Sequence, residues 1–97
     1  MKHYFFRLVP PRPTFAFDMN DHEKAIMGQH MAYWKDLFEK GKIVLYGPVM
    51  DAAGPWGLGI IEVADETEAN RIATNDPSVT AGVNTYQLYP MQAGMMR

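Results

Sequence analysis

An α+β fold with the element order βαββαβ is what this chain predicts, and three observations predict it. Aromatic and β-branched runs alternate with amphipathic stretches, each amphipathic stretch opens on a capping pattern, and proline or glycine follows the first strand and ends both helices. Residues 2–9 (KHYFFRLV) have the composition of a first strand, and the PPRPTF that follows continues neither a ladder nor a helix, so it reads as a loop. Asn20 with Glu23 three residues on forms a capping box, and the helical period runs from Asp21 to Lys40 until Gly41 ends it. Residues 42–49 (KIVLYGPV) and 56–63 (WGLGIIEV) read as a hairpin around the DAAGP loop, with Pro48 marking the first of them as an edge. Asp65 and Glu68 open a short helix that buries Ala69, Ile72 and Ala73 and stops before Pro77, and residues 84–91 (NTYQLYPM) close the chain as a fourth strand.

This order is the ferredoxin-like arrangement, one four-stranded antiparallel sheet with both helices on one face, within a single domain spanning residues 1–97. On the third strand Trp56, Leu58 and Ile60 alternate with Gly57, Gly59, Ile61 and Val63; on the second, Ile43 and Leu45 alternate with Val44 and Tyr46. Both faces are apolar, but two helices cover only one. A second copy of the sheet is the expected cover for the other, which predicts a homodimer through the sheet face. The alternative cover is the C-terminal MQAGMMR or the proline loop. Met91, Met95 and Met96 would suit an adaptable interface.

Bulk composition narrows the function. A net charge of −2 and scattered Lys and Arg give no footprint for nucleic acid or an anionic membrane. The absence of cysteine excludes disulfides, thiol catalysis and thiolate metal sites. The opening apolar run is broken by Arg7, Pro10 and Pro11, so it reads as neither signal peptide nor membrane span, and a cytoplasmic protein is the expectation. His3, His22 and His30 share no ligand spacing with carboxylates and no phosphate-cradling glycine loop occurs, so neither metal nor cofactor is expected.

His30 carries the functional reading. At about 100° per residue, Ile26, Met27, Tyr33, Trp34, Leu37 and Phe38 all lie within about 80° of it around the helix. Its ring therefore faces the core or a cleft at the core's edge. Either a backbone carbonyl satisfies it there, or a carboxylate pairs with it and tunes a general base near neutral pH. Asp76, directly before Pro77, suits the N-cap of a one-turn helix. It also lies where the second helix ends, and two helices packed side by side on one sheet face would bring it within reach of His30.

The segments HMAYWKDLFEKGKIVLYGPV and WGLGIIEVADETEANRIATNDPSVTAG, with a closing strand ending in YPM, resemble the YCII-related family of small dimeric α/β-barrel proteins. The resemblance runs from the first strand to Pro90 and rests on the helix histidine followed by a tyrosine, Gly47 and Pro48, Asp76 and Pro77, and Gly82. It implies a ferredoxin-like fold paired sheet to sheet and an active-site dyad of His30 and Asp76. It also implies an activity related to elimination or dehydrochlorination of small cyclic substrates. Many relatives carry a basic residue one turn before the histidine, where this chain has Ala25, Ile26 and Met27. Arg12, in the long proline loop, is either a replacement for that cation or a solvated loop residue.

Four further residues are candidates for substrate contact. Arg7 shares a strand face with His3 and Phe5, where it either meets a ligand or a carboxylate or stays wet at an interface rim. Tyr33 and Trp34 either line a cavity for a flat apolar substrate or are core. Gly57, with Gly59, leaves room for a ligand or for close packing. The leading expectation is a cofactor-independent acid–base enzyme acting by elimination, isomerisation or hydrolysis on a small cyclic or carbonyl compound, in which His30 moves a proton and Asp76 orients the imidazole. The rival is a non-catalytic ligand-binding or structural dimer in which the pair is a packing contact.

Overall fold

A computed structural model describes all 97 residues. Strand β1 (Lys2–Val9) is followed by a single helical turn α1 (Phe15–Asp18), the long helix α2 (Asp21–Glu39) and the hairpin of β2 (Ile43–Val49) with β3 (Trp56–Val63). Helix α3 (Glu66–Thr74), the short α4 (Pro77–Thr80) and β4 (Thr85–Met91) complete the chain. The sheet order is β2-β3-β1-β4 with every neighbour antiparallel, which is the ferredoxin-like topology. Pro48 and Pro90 both lie on edge strands, where a missing amide donor costs no ladder bond. No helix is long and apolar enough to cross a membrane.

Local chemistry defines the long helix at both ends. Asn20 accepts from the Glu23 N–H at 2.8 Å while the Glu23 carboxylate accepts from the Asn20 N–H at 2.9 Å, so the capping box is complete. At the other end Gly41 takes φ +77°, and the amides of Gly41 and Lys42 donate back to Phe38 and Leu37. This is a Schellman closure, open to glycine because the left-handed region costs it nothing. At α3 the second capping pattern is shared out differently: Asp65 accepts from the Glu68 N–H, whereas the Glu68 carboxylate bonds Lys42 Nζ at 2.6 Å and ties α3 to the start of β2.

Alternation on β1 sends Tyr4, Phe6 and Leu8 under the helices, where they meet Ile61, Val63, Trp34, Ile72 and Ala73 in one core. Two departures from the sequence reading matter. The proline loop holds the helical turn α1, which buries Phe15, and Arg12 neither floats in solvent nor reaches a ligand cavity. Its guanidinium bonds both Glu23 oxygens at 2.8 Å and Asp18 at 2.8 Å, clamping the loop to the first turn of α2. Arg12, together with the Asn20 amide, holds the Glu23 carboxyl down to about 2. On β2, a register irregularity between Ile43 and Leu45 breaks the alternation: Ile43 is buried under the helices and Leu45 is 55% exposed on the opposite face. Tyr46 accordingly faces the helices and packs near Trp34 and Phe38.

The face away from the helices carries Phe5, Arg7, Leu45, Leu58, Ile60 and Tyr89, with Phe5 in ring contact with Trp56 and Tyr89. Tyr89 is half exposed, and the residues after Met91 are exposed along their length.

Candidate active site

Asp76 organises the site. It is fully buried at the N-cap of α4, where Oδ1 accepts from both the N–H and the hydroxyl of Ser78 at 2.8 Å. Its other oxygen, Oδ2, accepts from the Trp34 indole N–H at 2.6 Å and from His30 Nδ1 at 2.7 Å. The capping role and the histidine contact therefore coexist, one on each carboxylate oxygen. Burial pushes the Asp76 carboxyl up, but the contacts from His30, Trp34 and Ser78 outweigh it and hold the group below its ordinary range.

An ionised Asp76 accepts only, so Nδ1 of His30 must carry a proton. In the neutral imidazole this leaves Nε2 with its lone pair free, and no side chain or backbone group of the protein bonds it. The ring is 16% exposed and forms part of the wall of a cavity of about 320 Å³. Phe6, Leu8, Phe15, Met27, Trp34 and Trp56 are among its apolar lining residues. Such a volume suits a single small ring.

The four other candidates divide evenly. Trp34 and Gly57 line the cavity. Trp34 is also core, 2% exposed, and its ring occupies the space above Gly59, where a Cβ would approach it to 2.6 Å. A Cβ at Gly57 would meet Leu8 at 3.0 Å, so close packing accounts for this glycine as well. Tyr33 does not line the cavity: its hydroxyl turns to α3 and donates to the Ile72 carbonyl at 2.8 Å. Burial, and then the charge of Asp76, push that phenol up to about 12. Arg7 is also absent from the lining, because strand alternation puts it on the other sheet face, where its guanidinium lies 4.4 Å over the Trp56 ring.

A family model described as the YCII-related domain matches residues 3–92. The chain belongs to the YCII-related family. No curated protein matches it significantly. Among solved structures, this YCII-related chain is similar to the 5-chloro-2-hydroxyhydroquinone dehydrochlorinase TftG from Burkholderia phenoliruptrix, solved in complex with 2,5-dihydroxybenzoquinone. The two share 22% identity with a TM-score of 0.68, over 94% of this chain and 95% of the other. At that identity the likeness establishes a common fold.

Two residues of the YCII-related site escape a reading of sequence. Ser78 gives both a backbone and a side-chain donor to Asp76, a role that an Asp-Pro-Ser cap makes available but does not require. Asn84 is buried on the cavity wall at the entrance to β4, where nothing in strand composition would have marked it. No group of three His, Asp or Glu side chains is arranged to hold a metal ion.

Proposed function

We propose that this protein is a small-molecule enzyme in which His30 is the general base and then the general acid, and Asp76 orients its ring. One observation carries the reading: Nδ1 is engaged by a buried carboxylate while Nε2 is unpartnered in a ring that walls an apolar cavity. In the first step Nε2 takes a proton from the substrate, and the electron pair released either re-forms a double bond elsewhere in the molecule or expels a leaving group. The resulting imidazolium is stabilised by the Asp76 carboxylate across 2.7 Å and returns its proton to the product, the leaving group or water. With chloride as leaving group the net change is loss of HCl, and no electron acceptor is needed. The fold shared with a dehydrochlorinase supports elimination from a small hydroxylated ring as the reaction to try first.

The test is chloride release from chlorinated dihydroxy- and trihydroxybenzenes by the full chain and by His30→Ala. Turnover by the wild type that falls at least about 10²-fold in a folded His30→Ala protein is the expected result. Equal turnover in the two overturns the assignment, and binding of these rings without any turnover in the wild type supports a non-catalytic binding protein instead.

The same reading includes a homodimer formed through the uncovered sheet face. Its support is the contiguous apolar surface of Phe5, Leu45, Leu58, Ile60 and Tyr89, larger side chains than a solvated face ordinarily presents. Sedimentation should give twice the chain mass, and Leu45→Glu should shift the protein toward the monomer; a monomeric wild type refutes it.

A further inference from the structure

One polar group on the cavity wall takes no part in the His30 and Asp76 scheme. Asn84 is 4% exposed and lines the same cavity as His30. Its Nδ2 donates only to the thioether sulfur of Met27 at 3.3 Å, and its Oδ1 is buried with no partner at all. A thioether is a weak acceptor, and a buried unpaired carbonyl lowers stability. Packing therefore does not explain an asparagine here, since an apolar side chain of similar volume would leave nothing unpaired. Its position is nonetheless well built. The Asn84 N–H donates to the Ser78 carbonyl at 3.0 Å, and Ser78 is the residue that holds Asp76. Met27, on its other side, precedes His30 by one turn of α2. Asn84 is thus braced by the elements that carry both halves of the dyad.

We propose that Asn84 is a specificity-determining residue that accepts a hydrogen bond from a substrate hydroxyl, on the same small ring from which His30 removes its proton. The inference rests on the proposed function and narrows its substrate class to rings bearing a hydroxyl in addition to the group that His30 deprotonates. Turning the amide oxygen toward such a hydroxyl meets little resistance: the torsion at the amide carbon is broad, and the only side-chain contact to give up is the weak one to sulfur. Binding would then supply the partner that the free protein lacks.

The experiment compares the affinity of the full chain for phenol and for the three dihydroxybenzenes, followed through the Trp34 indole N–H resonance. At least one dihydroxybenzene should bind the wild type about tenfold more tightly than phenol, the worth of one well-made hydrogen bond. Asn84→Leu should lose that preference while its phenol affinity and its Tm stay at or above wild type. Asn84→Ala, which cannot overpack, is held to the same loss of preference if the leucine variant does not fold. The inference is overturned if the wild type shows no preference, or if the substitutions weaken phenol and dihydroxybenzenes equally while Tm falls, as a purely structural asparagine would. Because binding is read without turnover, the outcomes separate: a missing preference beside an inactive His30→Ala removes only the role of Asn84. A preference lost in Asn84→Leu beside a fully active His30→Ala removes only the proton chemistry.

Discussion

Two histidine–carboxylate pairs of nearly equal length lie on opposite faces of one sheet, His30 with Asp76 at 2.7 Å and His3 with Glu62 at 2.8 Å. The imidazoles are equally sheltered, 16% and 15% exposed, so neither distance nor histidine burial tells the pairs apart. The carboxylates do. Asp76 is fully buried and accepts four hydrogen bonds from three residues, whereas Glu62 is 29% exposed, its side chain bonds only His3, and it is simply the cross-strand neighbour of that residue. A carboxylate fixed from several sides holds the imidazole at one angle and in one tautomer, and the cavity beside His30 is lined largely by apolar side chains, whereas the one His3 borders lies among the first residues of the chain and Pro90, Met91 and Gln92. Preorganisation of the acceptor, rather than the existence of the pair, is what makes one of them a candidate for chemistry.

The largest effect that would separate the pairs is kinetic. His30→Ala should cost about 10²–10⁴ in turnover and His3→Ala should leave turnover unchanged, measured as chloride release; equal losses would erase the distinction. Stability should separate them next. Asp76→Asn leaves His30 and Trp34 without their charged acceptor and should cost about 3 kcal/mol or more, against about 0–1 kcal/mol for Glu62→Gln, both read from denaturant unfolding.

A third substitution acts on the support rather than the pair. In Gly59→Ala the new methyl group meets the Trp34 ring at 2.6 Å, so the indole must move off Asp76. A loss of about 1–3 kcal/mol should result, with a broadened or shifted Trp34 indole N–H resonance. An unmoved resonance would show that Trp34 does not depend on the missing Cβ.

Acid titration gives the smallest and most gradual difference. The Asp76 pKa is lowered in the folded chain, so its carboxylate stabilises the protein above the ordinary value of 3.8, and that stability is lost as pH falls through the lower folded value. Glu23, held at about 2 by Arg12, adds a loss of the same sign between 4.5 and 2. Thermal unfolding from pH 6 down to pH 2 should therefore show a steeper decline in the wild type than in Asp76→Asn. Parallel curves would mean that the carboxylate contributes no acid-dependent stability.

The elements themselves were legible because their signals are local. Asn20 with Glu23, Gly41, Pro48 and Pro77 act through the backbone of their own neighbours, and each sits in the structure where its chemistry requires. The helical period likewise put His30 on the side of α2 that meets the core. What failed was read from the same local rules but settled elsewhere. Alternation placed Ile43 and Leu45 together until the register irregularity separated them, and Tyr33, a neighbour of Trp34 on the helix, spends its hydroxyl on α3 instead of the cavity. Arg12 had two partners, Asp18 and Glu23, that no spacing rule connects to it.

The sequence by itself therefore determined the βαββαβ order, the apolar character of both sheet faces and the candidacy of His30 and Asp76. Tertiary structure alone decided that Asp76 divides its two oxygens between the cap and the dyad. It also decided that Arg7 lies behind the sheet, and that Asn84 stands on the cavity wall with an unpaired carbonyl. Caps and periodicity act over three or four residues and so leave a trace in the chain. A hydrogen bond between residues 46 positions apart is set by how α2 and α4 pack, and packing geometry leaves none.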